Sequence, residues 1–432
     1  MREATMSQSP ATLAVGWAQA DITPPQTVLV CGQFYARLSE KVLDPLTATA
    51  LAFESDGEHA VLVSCDLVGV PAPLRDAIRA RLDDIAGLDP RKVIVQATHT
   101  HTGPEVRLPD WSSGTASGEL GVNLDREVMS VADYQEFAAE RIADAVWRAW
   151  EERSPGKVAF GHGWAVVGHN RRWVDTEGVA TMYGDTSSPD FSHIEGYEDH
   201  SVGVAATYDA EGTLTGLVVN VPCSSQCSEH LFALSADYWC ETRAELRRRL
   251  GGKLFILPQC SAAGDQSPHL IYGKAAEQRM RDLKGLSERQ EIARRIADAV
   301  DDVLPAIAPT ADGELPMLHR VETISLPLNT LTEDDVMASL AEAAKHRAAY
   351  EAEMQKIEED PSRRENPRWY REPTFHFRRM RWFEGVAKRF EKQKTQPTQP
   401  AELHALRLGD LALATNPFEF YLDFGIRIKA RS

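Results

Sequence analysis

The chain has 432 residues, of which 43% are hydrophobic and 26% are charged, and its formal net charge is −17. This composition is typical of a globular protein with one large or two ordinary domains. The negative charge argues against a nucleic-acid partner, because phosphate contacts need clustered lysine and arginine. No window has the ~20 apolar residues of a membrane helix, and the N-terminus lacks a signal-peptide core. We therefore predict a cytoplasmic protein without stable membrane insertion.

Apolar strand-like runs alternate with amphipathic helical runs from residue 13 to about residue 309, which predicts a mixed α/β fold. We see no internal repeat in the sequence. The six cysteines have no framework spacing and mostly lie in apolar runs, which predicts free thiols. The predicted strands are 60–70, 93–101, 214–223 and 254–260, and the predicted helices are 74–85, 134–152 and 236–250.

The character of the chain changes at residue 332, where a charged helical stretch with scattered aromatic residues begins. We predict a helical insertion or arm at 332–399, and a main domain at 13–331 with 400–432. A solvated helical hairpin is the simpler interpretation of the arm. A lid or a homo-oligomer contact is the functional one. Residues 394–402 resemble a linker, and the strand predicted at 403–420 has a tight turn at Gly409-Asp410.

Two histidines stand at the end of one apolar run, in the stretch QATHTHTGPE at 96–105. The preceding β-branched run predicts a strand, and Gly103-Pro104 ends it. Residues two apart on a strand face the same side, so His99 and His101 should point together. Two imidazoles on one face can chelate a metal ion. Ordinary polar residues at a strand exit are the alternative.

The stretch NVPCSSQCSEH, at 220–230, follows another predicted strand. Cys223 could be a thiolate ligand, and Glu229 or His230 could also reach a metal. A cysteine at a strand end is, however, more often simply buried.

The stretch QCSAAGDQSPH, at 259–269, allows two interpretations. Ser267 could cap a helix that has Pro268 at its first position. Alternatively, the turn could expose the Ser267 hydroxyl, with helix amides stabilising an oxyanion and Asp265 orienting the hydroxyl or a metal-bound water. In NPFEF, at 416–420, Glu419 at a strand end either faces solvent or pairs with a metal.

Taken in order, VGWAQADITPP, ATHTHTGP, GDQSP and the late glutamate resemble the catalytic domain of the neutral/alkaline (non-lysosomal) ceramidases and their shorter bacterial relatives. The resemblance runs from Val15 to about Phe420 and leaves out the charged arm. It implies layered sheets flanked by helices. It also implies a Zn²⁺-dependent hydrolase of the amide of an N-acylated sphingoid base.

The resemblance also implies roles for individual residues. His99, His101 and Glu419 match zinc ligands, and Ser267 matches a serine that sits at the zinc. Cys223 stands where the family has a third histidine, with His230 as a substitute, and the family's tyrosine ligand has no counterpart before the chain ends. Arg171 or Arg172, in HNRRW, matches an arginine that lines the site.

We therefore predict a zinc-dependent hydrolase that cleaves an amide or a related acyl bond of a small, soluble substrate. Asp66, Asn170 and His169 are the predicted substrate contacts. Asp265, Ser267 and the arginine pair are the predicted catalytic residues. One alternative is an ester or lactone hydrolase, or a lyase, on the same scaffold. The other is a non-catalytic metal-binding assembly protein that uses the arm as its contact surface.

Overall fold

The computed structural model describes residues 12–108, 120–124 and 126–432. The first eleven residues, part of the stretch in which we saw no signal-peptide core, lie outside the described residues. The described part contains the following α-helices: α1 (Ala72–Ala80), α2 (Val131–Glu151), α3 (Tyr238–Leu250), α4 (Lys274–Lys284), α5 (Glu288–Ile307), α6 (Glu333–Glu359), α7 (Arg371–Gln393) and α8 (Leu422–Lys429).

The strands form one large sheet and several small ones. In chain order the strands are β1 (Ala14–Asp21), β2 (Leu29–Val30), β3 (Arg37–Leu38), β4 (Lys41–Val42), β5 (Thr47–Ser55), β6 (Glu58–Cys65), β7 (Val93–Ala97), β8 (Ser154–Trp164), β9 (His169–Asn170), β10 (Arg172–Asp175), β11 (Ala180–Met182), β12 (Phe191–Ile194), β13 (Ser201–Asp209), β14 (Leu214–Val221), β15 (Ala233–Leu234), β16 (Phe255–Cys260), β17 (Gln266–Ser267), β18 (Met317–Pro327), β19 (Thr398–Leu408) and β20 (Leu411–Thr415).

The large sheet has eight strands in the order β16-β14-β13-β8-β1-β5-β6-β7. Its neighbouring strands are antiparallel except β6 with β7 and β14 with β16, which are parallel and are joined by α1 and α3. Each half of the sheet therefore follows the same order along the chain: three antiparallel strands, a crossover helix, a fourth strand and then a long helix. These elements are β1, β5, β6, α1, β7 and α2 in one half, and β8, β13, β14, α3, β16 and α5 in the other. This internal repeat is not visible in the sequence, where we saw none, because the order of elements repeats while the residues do not.

The two faces of the sheet bury different residues, as the period of two along a strand requires. Ala48, Ala50 and Ala52 of β5 lie in the core under α1 and α2. Leu51 and Phe53 lie in a second core, which also contains Leu406 and Leu408 of β19. The small side chains let helices approach one face, and the large ones pack against the three-stranded sheet β18-β19-β20. This layered arrangement confirms the predicted mixed α/β fold.

The arm is a helical hairpin of α6 and α7, inserted between two paired strands. β18 and β19 pair antiparallel over their full lengths, from Met317 with Leu408 to Pro327 with Thr398. The predicted linker at 394–402 is therefore wrong in part, because residues from Thr398 onward belong to β19. The turn at Gly409, whose φ is +59°, is confirmed between β19 and β20. The division into two domains stays a prediction.

Two further observations bear on the sequence analysis. All six cysteines are free thiols, as predicted. None of the described helices combines the length and the apolar character that crossing a membrane would require.

Candidate active site

The candidate site lies beyond the C-terminal ends of the two parallel strand pairs, where several loops meet. The loop after β7 contains His99 and His101, and the loop after β14 lies directly beside it. The amide of His101 donates to the carbonyl of Ser225 at 3.1 Å. The third segment is the turn after β16, which contains the GDQS stretch.

The two histidine rings converge, but not for the predicted reason. β7 ends at Ala97, and His99 has a φ of +58°, so the histidines do not alternate along a strand. The turn nevertheless brings the ring centroids to 5.0 Å and the two Nε2 atoms to 3.4 Å from each other. A left-handed backbone is uncommon for a residue other than glycine, and it aims the His99 ring at His101.

The rings of His99 and His101 face each other through their Nε2 atoms. His99 Nδ1 donates to the carbonyl of Val68 at 2.6 Å, and burial with the neighbouring His101 lowers the pKa of His99 to about 4. His101 Nδ1 lies 3.2 Å from a carboxylate oxygen of Glu229, and a carboxylate can only accept. The side-chain amide nitrogen of Gln226 also lies 3.1 Å from His101 Nδ1, and the two Nε2 atoms face each other across 3.4 Å.

Glu229 connects His101 to a third histidine. Its Oε1 lies 3.2 Å from Nε2 of His269, and the amide of Gln226 donates to its Oε2 at 3.1 Å. Burial alone would raise the pKa of Glu229, but hydrogen bonds from the two histidines hold it well below its usual range. Burial alone would lower the pKa of His269, but Glu229 raises it.

Glu419 approaches the histidines from the C-terminal segment. Its Oε2 lies 3.7 Å from His99 Nε2, and its side chain is 68% exposed. Glu419 precedes α8 in a loop, and it does not end a strand as predicted. A Cβ on Gly264 would lie 2.4 Å from the Glu419 carbonyl oxygen, so glycine is required for this close approach.

Arg171 is the member of the arginine pair that faces the site. Its guanidinium donates to the Tyr183 hydroxyl at 2.7 Å, to Gln226 Oε1 at 3.3 Å and to the carbonyl of Gly264 at 2.9 Å. Arg172 instead pairs with Glu195 near the surface.

The GDQSP stretch has a different role from the helix start that we considered. Gln266 and Ser267 form the short strand β17, which pairs with β9 (His169–Asn170). The next helix, α4, begins only at Lys274. No helix amides therefore surround Ser267, which is fully buried and accepts a hydrogen bond from the amide of His269 at 3.3 Å. The proposal of a helix N-terminus as an oxyanion site at Ser267 is wrong.

Asp265 holds the C-terminal segment. Its Oδ1 accepts from the amide of Leu422, the first residue of α8, at 2.8 Å. Burial raises the pKa of the Asp265 carboxyl. Asp265 therefore binds the backbone three residues after Glu419, and its hydrogen bond is with this segment and not with the Ser267 hydroxyl.

The remaining predicted residues lie at varying distances from the histidine pair. His169 and Asn170 contact Glu198, through the His169 ring at 3.3 Å and the Asn170 amide at 3.0 Å. The Asp66 carboxylate is fully buried and binds Arg243 through both oxygens, at 2.8 and 3.0 Å. Both oxygens of the predicted substrate contact are therefore already bound by Arg243.

Cys223 and His230 are placed away from direct contact with the pair. The Cys223 thiol donates to the carbonyl of Ser224 at 3.3 Å, and burial raises its pKa well above the ordinary value. His230 is exposed. Gln226 and Glu229 of the same loop lie beside His101 instead, at 3.1 and 3.2 Å from its Nδ1.

A cavity of about 660 Å³ adjoins the site on the side of His269. Its wall includes Glu229, His269 and Tyr183, together with charged residues of α4 and α5. Among the described residues that line the cavity, His99, His101 and Glu419 are absent. The cavity therefore meets the histidine pair through Glu229.

The histidine pair fits a zinc ion in part. Zinc–nitrogen bonds of 2.0–2.1 Å at a tetrahedral angle place two ligand nitrogens about 3.4 Å apart. The two facing Nε2 atoms have this separation, and a cation would satisfy their lone pairs. Among the described residues, however, no three His, Cys, Asp or Glu side chains form a complete metal site.

Sequence reasoning missed several residues of the site. Gln226 and Tyr183 have neutral side chains without motif spacing, and His269 was treated only as the end of a turn. Glu229 was considered only as a metal ligand, although its position six residues after Cys223 placed it in the correct loop.

The fold is that of the neutral ceramidases. A crystal structure of neutral ceramidase from Pseudomonas aeruginosa matches with a TM-score of 0.63 and 17% identity, over 97% of this chain and 64% of that one. A ceramidase complexed with C2 matches with a TM-score of 0.61 and 16% identity, over 97% and 65%. This chain thus spans just under two thirds of either protein. No protein-family model and no curated protein sequence matches it.

Proposed function

We propose that the chain is a zinc-dependent hydrolase that cleaves an amide or a related acyl bond of a small molecule. The observation that supports the proposal is the pair of facing Nε2 atoms, 3.4 Å apart, on the fold of neutral ceramidase. Each ring has a hydrogen-bond partner at its Nδ1, the arrangement that orients histidine ligands of metals. Membership of the ceramidase family is part of this proposal.

His99 and His101 would hold the zinc, with Glu419 as a third ligand. Bound zinc would polarise the acyl carbonyl and lower the pKa of a coordinated water to about 7. Glu419 Oε2 lies 3.7 Å from His99 Nε2, and its exposed position in a loop leaves its side chain free to adjust. Cys223 stays an untested ligand, as does His230.

The residues around the pair would orient it and handle protons. Glu229 and Gln226 fix the His101 ring, and Arg171 fixes Gln226. His269, whose pKa is raised by Glu229, would supply the proton that a leaving amine needs. The predicted attack by Ser267 would require its buried hydroxyl to become accessible.

The cavity supports a polar substrate. Its wall includes Lys274, Arg281, Glu277 and Glu288, which would desolvate poorly against a long alkyl chain. We therefore propose a soluble acylated amine rather than a long-chain sphingoid amide.

Elemental analysis of the purified protein tests the metal. We expect one zinc per chain, lost in His99→Ala and His101→Ala and retained in His162→Ala, which changes an exposed histidine outside the site. Variants Glu419→Ala, Cys223→Ala and His230→Ala identify the further ligand. A wild-type chain without zinc, even after zinc is supplied, would rule out the metal-dependent hydrolase.

A substrate panel tests the reaction on the zinc-loaded protein. We expect release of acid from short N-acyl amines to be faster than from an N-acylated sphingoid base. Faster turnover of acyl esters or lactones would assign the ester or lactone alternative. Zinc binding without turnover of any acyl compound would favour the non-catalytic alternative.

A further inference from the structure

We propose that Arg37 is a positioning residue for the site, and that the helical arm holds Arg37 in place. This inference rests on the proposed function for its consequence in catalysis, but its structural part is independent of zinc. It assigns the arm a role inside the molecule, in place of the lid or oligomer contact considered from the sequence.

Arg37 is fully buried and connects two loops of the site. Its guanidinium donates to the carbonyl of His101 at 2.6 Å, of Glu229 at 2.6 Å and of Leu231 at 2.7 Å, and also to the carbonyl of Cys31. Hydrogen bonds from a charged donor are stronger than neutral ones. One side chain thus fixes the backbone of both the histidine and its carboxylate partner.

The segment around Arg37 also touches the His101 side chain. Gly32 has a φ of +100°, and a Cβ at this position would lie 2.5 Å from the His101 Cβ. The amide of Cys31 donates to the carbonyl of Gly103 at 2.9 Å. The β2–β3 hairpin therefore forms the back wall of the loop that presents His101.

The arm packs on this hairpin at residues on either side of Arg37. The amide of Ala36 donates to the Thr374 hydroxyl at 3.0 Å, and the amide of Leu38 donates to the Tyr370 hydroxyl at 3.2 Å. Tyr370 is 1% exposed and belongs to the same apolar cluster as Ala36 and Leu38.

Further contacts extend this interface along α7. The Arg371 guanidinium lies 4.3 Å from the centre of the Tyr35 ring, and Trp382 meets Phe34 edge to face at 6.3 Å. The contacts are consecutive along the hairpin, from Phe34 to Leu38. Loosening the first half of α7 would therefore release Arg37 and, with it, the backbone of His101 and Glu229.

Tyr370→Phe and Thr374→Val test the inference, because each removes one hydroxyl from the interface with little change in shape. Tyr350→Phe is the control, since it removes a hydroxyl of the same arm that donates to the carbonyl of Gly121 and not to an amide of residues 36–38. A lost hydrogen bond of this kind corresponds to a change of about threefold to tenfold. We expect such a loss of zinc affinity, measured by competition with a chelator, in the two interface variants and not in the control.

NMR of ¹⁵N-labelled histidine rings, assigned with His101→Gln, provides a readout that needs no zinc and no activity. We expect the His101 ring signals to shift or broaden in Tyr370→Phe, Thr374→Val and Arg37→Lys, and to stay unchanged in Tyr350→Phe. Unchanged His101 signals in the folded interface variants would overturn the inference, even if the wild type binds zinc. Shifted signals in a chain that never binds zinc would support it and refute the proposed function alone.

Discussion

Glu229 shows how one half-buried carboxylate can bind two histidines of the site. It lies 3.2 Å from His101 and 3.2 Å from His269, and it is held ionised by both. The same charge lies beside the His101 ring and raises the pKa of His269. One carboxylate therefore connects the histidine pair with the histidine that lines the cavity.

We expect Glu229→Gln to lower the pKa of His269, because the variant removes the charge that opposes the effect of burial. NMR titration of the His269 ring measures the change. The control is Glu198→Gln, which removes a carboxylate from His169 and His200 and should leave His269 as it is. An unchanged His269 pKa in Glu229→Gln would show that Glu229 does not determine its protonation.

We expect Asp66→Ala to lower the free energy of unfolding by about 3–5 kcal/mol, because it leaves Arg243 buried without its partner. Arg243→Met should cost a similar amount, and the double variant less than the sum of the two. Urea denaturation measures all three. If Asp66→Ala instead leaves stability unchanged and raises the KM, the prediction that Asp66 contacts substrate would be supported.

At the scale of elements, α8 positions Glu419 through Asp265. The helix begins at Leu422, whose amide is bound by the Asp265 carboxylate, and Glu419 lies three residues earlier. The GDQS turn and the C-terminal helix are therefore one unit, although more than 150 residues separate them in the chain.

We expect Asp265→Ala to reduce zinc retention through a displaced Glu419, with a stability loss of about 1 kcal/mol, as for other caps of a first helical turn. Thr332→Ala is the control, because it removes the capping hydroxyl of α6 in the arm at a similar cost. Equal zinc retention in Asp265→Ala and Thr332→Ala would show that Asp265 does not position a metal ligand.

The sequence predicted the long elements well and the loops poorly. Helices such as Val131–Glu151 have a strong apolar period, and the apolar runs of β6, β7, β14 and β16 were recognised. The convergence of His99 and His101 was also expected, but a left-handed turn and not strand alternation produces it. Gln226 and Arg37 were missed because their contacts join loops that are distant in the chain, and no local pattern predicts such contacts.

At the scale of the whole molecule, a histidine pair joins the two sheets. His319 of β18 donates from Nδ1 to the carbonyl of His59 on β6 at 3.1 Å, and its Nε2 lies 3.0 Å from His404 Nδ1 on β19. His404 in turn contacts Glu402 at 3.1 Å. Burial, followed by the neighbouring His404 and Lys92, lowers the pKa of His319 to about 4.

This pair predicts a loss of stability in mild acid. His319 takes up a proton near pH 6.5 when unfolded but near pH 4 when folded, so the unfolded chain binds more protons between these values. The free energy of unfolding should therefore fall by up to about 3 kcal/mol as the pH decreases through this window. His319→Asn should flatten that slope in urea denaturation between pH 7 and pH 4. The exposed His193→Asn should not, and equal slopes in all three proteins would contradict the assignment.

The pairing of Pro327 with Thr398 has a consequence for how the chain accommodates the arm. The two ends of a segment of about seventy residues are already neighbours in a sheet, so the arm begins and ends at the tip of an ordinary β-hairpin. Loop-closure entropy grows only with the logarithm of loop length, and a long excursion from such a tip costs little more than a short one. Insertions and deletions at this tip can therefore change the size of the arm without shifting the register of the sheet. The segment from Tyr370 to Thr374 is constrained more closely, because it binds the hairpin at Leu38 and Ala36.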